Sequence, residues 1–347
     1  MSRVDPFAVS LRSPLSTAAG DIDRREGFTV EYDHRGETGL GEATPLPGWT
    51  ESLDRCDAAL ERALDAGADD HHTDALLELD ASEVPAARHG FATALVDADA
   101  RADGVALYEW FDGSRSVSSV PVNATVGDAD SGTTVERARA AVDRGFDCLK
   151  LKVGARPLDA DVERVRAVRE AVGESVTLRA DANGAWDRET AERALEPLES
   201  LDVAYVEQPL PADDLTGLAE LRGTGVGIAV DESLVDRRMA AVLDAAAADV
   251  VVLKPMVLGG PGNAHTLAMR AREEGVEPVV TTTVDAAVAR TAAVHVAAGI
   301  PNVSACGLAT AELLDGDIAS DPAPVDDGRA AVPQDPGLGI DPAEVSQ

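Results

Sequence analysis

The sequence predicts an α/β protein: a modified (β/α)8 TIM barrel with an N-terminal α+β lobe. Three observations lead there. From about residue 120, eight short apolar runs recur with starts about 22 to 28 residues apart, separated by helical stretches rich in Ala, Arg and Glu. Five successive runs, the second to the sixth, carry charged residues near their C-terminal ends. The first 115 residues lack this rhythm. A strand–loop–helix–loop unit takes that length, and eight of them make a barrel rather than an open sheet.

Taken in order, residues 5–12 and 27–35 read as strands, and GETGLGEATPLPGW (36–49) as a turn-rich loop. ESLDRCDAALERALDA and EVPAARHGFATALVDADARA read as helices, and DGSRSVSS (112–119) as a polar linker. The barrel runs are 121–126, 148–153, 176–183, 203–209, 227–233, 249–255, 277–285 and 303–308. Helices fit at 131–145, 157–172, 187–199, 212–222, 234–246, 260–274 and 287–299. ARPLDADVERVRAVREAV has the apolar spacing of an amphipathic helix, with Pro157 near its start. After residue 316 the chain turns rich in Pro, Asp and Gly and is expected to run back over the lobe. The expected division is therefore 1–115, a capping domain joined by 316–347, and 116–315, the barrel.

The net charge is −33, from 63 acidic and 30 basic residues. Such a surface repels phosphates, so nucleic acid and anionic membranes are not expected partners. The acids are spread among apolar residues, which fits a halophilic surface better than a disordered tail. No apolar run reaches 18 residues and no secretory segment opens the chain, so a cytoplasmic protein is expected. Cys56, Cys148 and Cys306 show neither disulfide nor zinc spacing. A homo-oligomer is left open.

Only three lysines occur among the 30 basic residues: Lys150, Lys152 and Lys254. Lys150 and Lys152 share one strand face, near the end of the second run. Asp181 and Asn183 have the same relation in the third. Glu207 ends the fourth run, Asp231 stands at the end of the fifth and Lys254 in the sixth. In this fold active sites lie at the C-terminal ends of the strands. A lone carboxylate there is more often a helix cap. Together, Asp181, Glu207 and Asp231 offer the hard oxygen ligands that Mg²⁺ requires, with Mn²⁺ as the substitute. A metal-held carboxylate substrate would lose its α-proton to a neutral lysine, and the metal would stabilise the enediolate. Arginine stays protonated and cannot take that role. A small-molecule carboxylate is the expected substrate; a metal-binding scaffold barrel is the non-enzymatic alternative.

Lys150-x-Lys152, Asp181-x-Asn183, Glu207-Gln208-Pro209, Asp231-Glu232-Ser233 and Lys254-Pro255 resemble the site pattern of the enolase superfamily, muconate-lactonising subgroup. The resemblance covers nearly the whole chain. It implies a capping domain closed by the C-terminal tail, Lys152 as the base, Lys254 across the substrate and Lys150 in support. No His stands near the end of the seventh run, where the chain reads TTTVDAAVAR (281–290), so lysine chemistry is expected on both faces. The capping loops, above all GEATPLPGW, are similar to those of o-succinylbenzoate synthases of menaquinone synthesis. The eighth-run segment is too, although Ala309 stands where those often have Asp. The DxD of dipeptide epimerases is missing from SACGLAT (304–310). Dipeptide epimerisation, N-succinylamino acid racemisation and muconate cycloisomerisation are the alternatives. Loop 14–25 and Leu46–Trp49 are expected to close over the substrate. Contacts to it are expected from Asn183, Pro47, Gly48, Trp49, Thr282, Asp285, Gly307 and Leu308.

Overall fold

The computed structural model describes residues 2–17, 20–68, 71–111, 116–236 and 239–345. It opens with β1 (Arg3–Thr17), β2 (Gly20–His34) and β3 (Glu37–Ala43), an antiparallel sheet in that order. Alternation along β2 puts Phe28, Val30 and Tyr32 on one buried face. That face receives α1 (Leu53–Ala66), α2 (His72–Leu77) and α3 (Pro85–Asp103), whose Cys56, Leu60 and Phe91 join the same apolar cluster. Here α3 comes very close to β3. A Cβ on Gly39 would stand 1.8 Å from the Ala94 carbonyl oxygen, and one on Gly41 1.9 Å from that of Gly90. Only glycine permits this approach. The short α4 (Leu107–Phe111) follows.

The stretch expected as a flexible loop, 14–25, is a paired ribbon where it is described: Leu15 faces Ile22, Ser16 faces Asp21 and Thr17 faces Gly20. Residues 18 and 19 lie outside the described residues. The irregularity is a bulge between Ser10 and Leu15, where Pro14 has no N–H to give a ladder. There β1 turns to the distant chain instead: Asp315 N donates to Ser10 O at 2.8 Å and Leu11 bridges Leu314.

The linker expected at 112–119 is outside the described residues up to 115; β4 (Ser119–Pro121) takes its last residue. Then come β5 (Ala124–Val126), α5 (Ser131–Asp143), β6 (Cys148–Lys152), α6 (Leu158–Val172), β7 (Thr177–Asp181), α7 (Arg188–Ser200), β8 (Val203–Glu207) and α8 (Leu215–Leu221). They continue as β9 (Gly227–Val230), α9 (Ser233–Asp236), α10 (Met239–Asp244), β10 (Val250–Leu253), α11 (Pro261–Glu273), β11 (Glu277–Val280) and α12 (Ala287–Gly299). Among the described residues, β5 to β11 form one curled sheet in chain order, every observed pair parallel. Leu149 and Leu151 of β6 are fully buried in the main core. Each burial contributes about 2 kcal/mol.

Two expected strands differ. The run 121–126 is split, because β4 leaves the barrel to pair with β13 (Arg329–Ala331), which itself pairs with β12 (Val325–Asp326). The eighth run, 303–308, is no strand. Single bridges, Val122 to Cys306 and Thr281 to Gly307, close the barrel there. Gly307 allows it: a Cβ would stand 2.4 Å from Thr281 Oγ1. Arg179, buried inside, reinforces the seam by donating to Ala305 O at 2.6 Å. The expected helix at 234–246 is α9 and α10, with 237 and 238 outside the described residues. No helix among the described residues is long and apolar enough to cross a membrane.

Candidate active site

The β6–β7–β8 register places Lys152 beside Asp181, and Asp181 beside Glu207, at the C-terminal ends of three adjacent strands. Asp231 follows β9 and Lys254 follows β10. Strand alternation turns Lys150 and Lys152 to one side while Leu149 and Leu151 pack outward. Lys150 Nζ donates to Glu207 Oε1 and Oε2 at 2.9 and 3.0 Å and stands 3.0 Å from Asp181 Oδ2. Lys152 Nζ donates to Asp181 Oδ2 at 2.7 Å and to Asn183 Oδ1 at 2.8 Å. Lys254 Nζ donates to Asp231 Oδ2 at 2.6 Å. The Trp49 ring covers Lys254, whose Nζ lies 3.3 Å from the ring centroid. Lys152 has the most exposed side chain of the three, at 34% against 13% and 12%.

The electrostatics follow from burial and proximity. Burial, then repulsion from Asp181 and Asp231, pushes the Glu207 carboxyl up to about 7 although Lys150 opposes this. Burial also raises Asp231, against the pull of Lys254. At Asp181 burial works against charge, but Lys150 and Lys152 outweigh it and hold the group well below the usual carboxylate range. Burial would lower Lys150, yet Asp181 and Glu207 dominate and raise it well above the ordinary lysine value. The result is a dense cluster of opposite charges at the barrel mouth.

The remaining expected residues fall in three places. Asn183 belongs to the cluster and also donates to Glu232 Oε1 at 3.0 Å. Trp49 reaches it, while Pro47 and Gly48 are exposed on the outer side of the same turn. Thr282 meets Thr310 at 3.0 Å between their hydroxyls. Asp285 accepts from the N–H and hydroxyl of Thr283 within its own turn. Gly307 serves the barrel seam, and Leu308 is in the apolar core. Among the described residues, no hydrogen bond or ion pair joins Thr282, Asp285, Gly307 or Leu308 to the three lysines.

Sequence reasoning missed Gln208. Fully buried, its Oε1 accepts from Asp231 N and Ser233 N, both at 3.1 Å, and its Nε2 donates to Ser233 Oγ and Leu210 O, both at 2.9 Å. One amide thus fixes the turn that carries Asp231. Its signal was present in Glu207-Gln208-Pro209 and Asp231-Glu232-Ser233, motifs read only for their acids.

Residues 133–346 match the family described as Enolase C-terminal domain-like. The chain belongs to the enolase superfamily. Its relatives place it in the muconate-lactonising subgroup. It is 44% identical over 211 residues to the o-succinylbenzoate synthase of Thermobifida fusca (strain YX), a match covering 59% of this chain and 63% of that enzyme, less than two thirds of its length. It is 31% identical over 351 residues to the L-Ala-D/L-Glu epimerase of Bacillus subtilis (strain 168), covering 96% of this chain and 94% of that one. The structure of a dipeptide epimerase from Enterococcus faecalis V583, complexed with Mg and the dipeptide L-Leu-L-Tyr, superposes with a TM-score of 0.88 at 27% identity, covering 98% of both chains.

The donor set suits a divalent cation. Asp181, Glu207 and Asp231 are buried and supply oxygen only, and burial, followed by the two neighbouring carboxylates, raises Glu207. As placed, the lysine ammonium groups hold these oxygens. Among the described residues no three acids, cysteines or histidines stand in a ligating arrangement.

Proposed function

We propose that this chain is a divalent-metal-dependent o-succinylbenzoate synthase of menaquinone synthesis. It would dehydrate 2-succinyl-6-hydroxy-2,4-cyclohexadiene-1-carboxylate to 2-succinylbenzoate. One observation carries this reading over epimerisation of a dipeptide. Residues 303–310 close the barrel beside the site without a single carboxylate, and the Thr282–Thr310 hydroxyl pair stands there instead. The segment therefore offers no carboxylate to pair with a substrate ammonium group. The 44% identity to an o-succinylbenzoate synthase supports the same choice.

A divalent cation held by Asp181, Glu207 and Asp231 would stabilise negative charge building on the substrate carboxylate. Lys152, the most exposed lysine, acts as the neutral amine: released from Asp181, it takes the proton from the carbon that bears the carboxylate and becomes the ammonium. Asn183 Oδ1 accepts from this nitrogen and keeps it aimed at the mouth. The same lysine returns that proton to the departing hydroxyl, so the C–H and C–O bonds break and one water leaves. Ring aromaticity makes the elimination downhill. Lys254, fixed under Trp49 and against Asp231, presents a cation across the ring. Lys150 stays locked between Glu207 and Asp181 and holds both carboxylates in place.

A second reading is supported by the match along 96% of the chain to an L-Ala-D/L-Glu epimerase, and by two lysines that can work from opposite faces. The test is direct. Purified protein with Mg²⁺ in high salt is given the cyclohexadiene substrate, and the new aromatic absorbance is followed. Turnover supports dehydration. No turnover, with clear epimerisation of dipeptides, reverses the order.

A further inference from the structure

Trp49 sits in a closed turn. Trp49 N and Thr50 N both donate to Leu46 O at 3.0 Å, Leu46 N donates to Thr50 Oγ1 at 2.8 Å, and Gly48 takes the left-handed conformation the turn needs, with φ of 85°. Both roots of the turn are tied by buried charged side chains. At the exit, the Glu51 carboxylate accepts from Ala86 N and Ala87 N at 3.1 and 2.8 Å, in the first turn of α3. At the entrance, Arg25, only 2% exposed, donates to Thr44 O at 2.8 Å and Pro45 O at 3.2 Å. Its Nε reaches Val284 O, in the loop after β11, at 3.2 Å.

Glu42 completes this joint. It is fully buried and accepts from Thr44 Oγ1 at 2.5 Å, Ala286 N at 2.9 Å and Ala289 N at 2.8 Å. Helix α12 has Ala286 at its N-cap and so no capping side chain of its own. A carboxylate from β3 does that work across the lobe–barrel boundary. Arg25 spends its guanidinium on carbonyls, and among the described residues it makes no ion pair. Burying a charge in this way is a poor route to stability, and what it can secure is geometry.

We propose that Arg25 and Glu42 are positioning residues that hold the Trp49 turn as a standing wall over Lys254, not a lid that opens. The proposal holds whichever reaction the site performs, so its test is independent of the dehydration reading.

With Trp110→Phe and Trp186→Phe in place, Trp49 is the one tryptophan left. Acrylamide quenching then reports its accessibility, and fluorescence anisotropy decay its motion. Arg25→Met and Glu42→Ala should each at least double the quenching constant while far-UV circular dichroism is unchanged. Arg25→Lys and Glu42→Gln should give intermediate values, and decide the matter if the larger changes do not fold. Asp97→Asn is the control. Asp97 ties Leu40 N and Leu338 N elsewhere in the lobe, so this change should lower the unfolding midpoint and leave quenching alone. Unaltered quenching in the folded Arg25 and Glu42 variants would overturn the proposal, as would an equal rise in Asp97→Asn. Nanosecond motion of Trp49 in the parent background would overturn it too.

Discussion

Lys152 and Lys254 carry different burdens in the dehydration reading, and substitution should separate them. Lys152→Ala should lower kcat by about 10²–10⁴-fold, the usual worth of a general base. Lys254→Ala, which removes only a stabilising charge, should cost about 10²-fold. Equal losses would favour epimerisation, where both lysines move protons. Lys152→Arg should not rescue, since arginine does not deprotonate. Glu42 gives a second residue-scale expectation. Burial, then Asp285, pushes its carboxyl up to about 7 from an ordinary 4.5. Between those values the folded chain holds this proton more tightly than the unfolded one. Its contribution is therefore fully present below pH 4.5 and is lost as pH rises to 7, by at most about 1.4 kcal/mol per unit. Urea unfolding from pH 5 to 7.5 should show a steeper decline in the wild type than in Glu42→Gln, which keeps the share due to Glu207; parallel slopes would contradict it. Lysine scarcity made Lys150, Lys152 and Lys254 legible in the sequence, because they stand out against 27 arginines and fall at run ends. Nothing comparable marks Arg25, whose partners are backbone carbonyls that no residue pattern encodes.

At the scale of elements, the βα rhythm was readable because each run has a buried strand's length and each helix repeats apolar residues on one face. Helix 287–299 agrees residue for residue. Glu37–Ala43, expected within a turn-rich loop because its glycines mimic turns, is β3 and pairs with the neighbouring β2, whereas two other misread elements have partners remote in sequence. Ser119–Pro121 pairs with 329–331, so its own apolar pattern could not say that it leaves the barrel. Residues 303–308 have strand-like composition, yet the Gly307–Thr281 approach leaves room for one bridge on each side. The ribbon at 14–25 was taken for a loop because Pro14 and small polar residues mimic one. The α3–β3 contact supplies a test at this scale. Gly41→Ala drives a methyl into the Gly90 carbonyl and should cost about 3 kcal/mol in urea unfolding. Gly48→Ala meets no atom within 4 Å and should cost only the left-handed backbone penalty, about 1 kcal/mol. Similar losses at the two positions would contradict the packing described.

At the scale of the whole molecule, 63 acidic against 30 basic residues leave a charge of −33. Self-repulsion on that scale opposes the compact state until salt screens it; the Debye length falls from about 10 Å at 0.1 M to about 3 Å at 1 M. The thermal midpoint should rise steadily from 0.1 to 2 M KCl, and a flat response would remove charge repulsion from the account. The Lys–carboxylate cluster sits apart from this, buried where salt screens little. The sequence therefore yielded the barrel, the lobe and the cluster's members. It did not yield the pairing of each lysine with a carboxylate, which depends on side-chain reach across strands. The central claim is that Lys152 breaks the C–H bond beside the substrate carboxylate. It is tested most directly by turnover of the cyclohexadiene substrate deuterated at that carbon, in wild type and Lys152→Ala, with and without Mg²⁺. The expected result is Mg²⁺-dependent aromatic product formed more slowly from the deuterated substrate, and turnover reduced at least about 10²-fold in Lys152→Ala. Undiminished product formation by Lys152→Ala would contradict it.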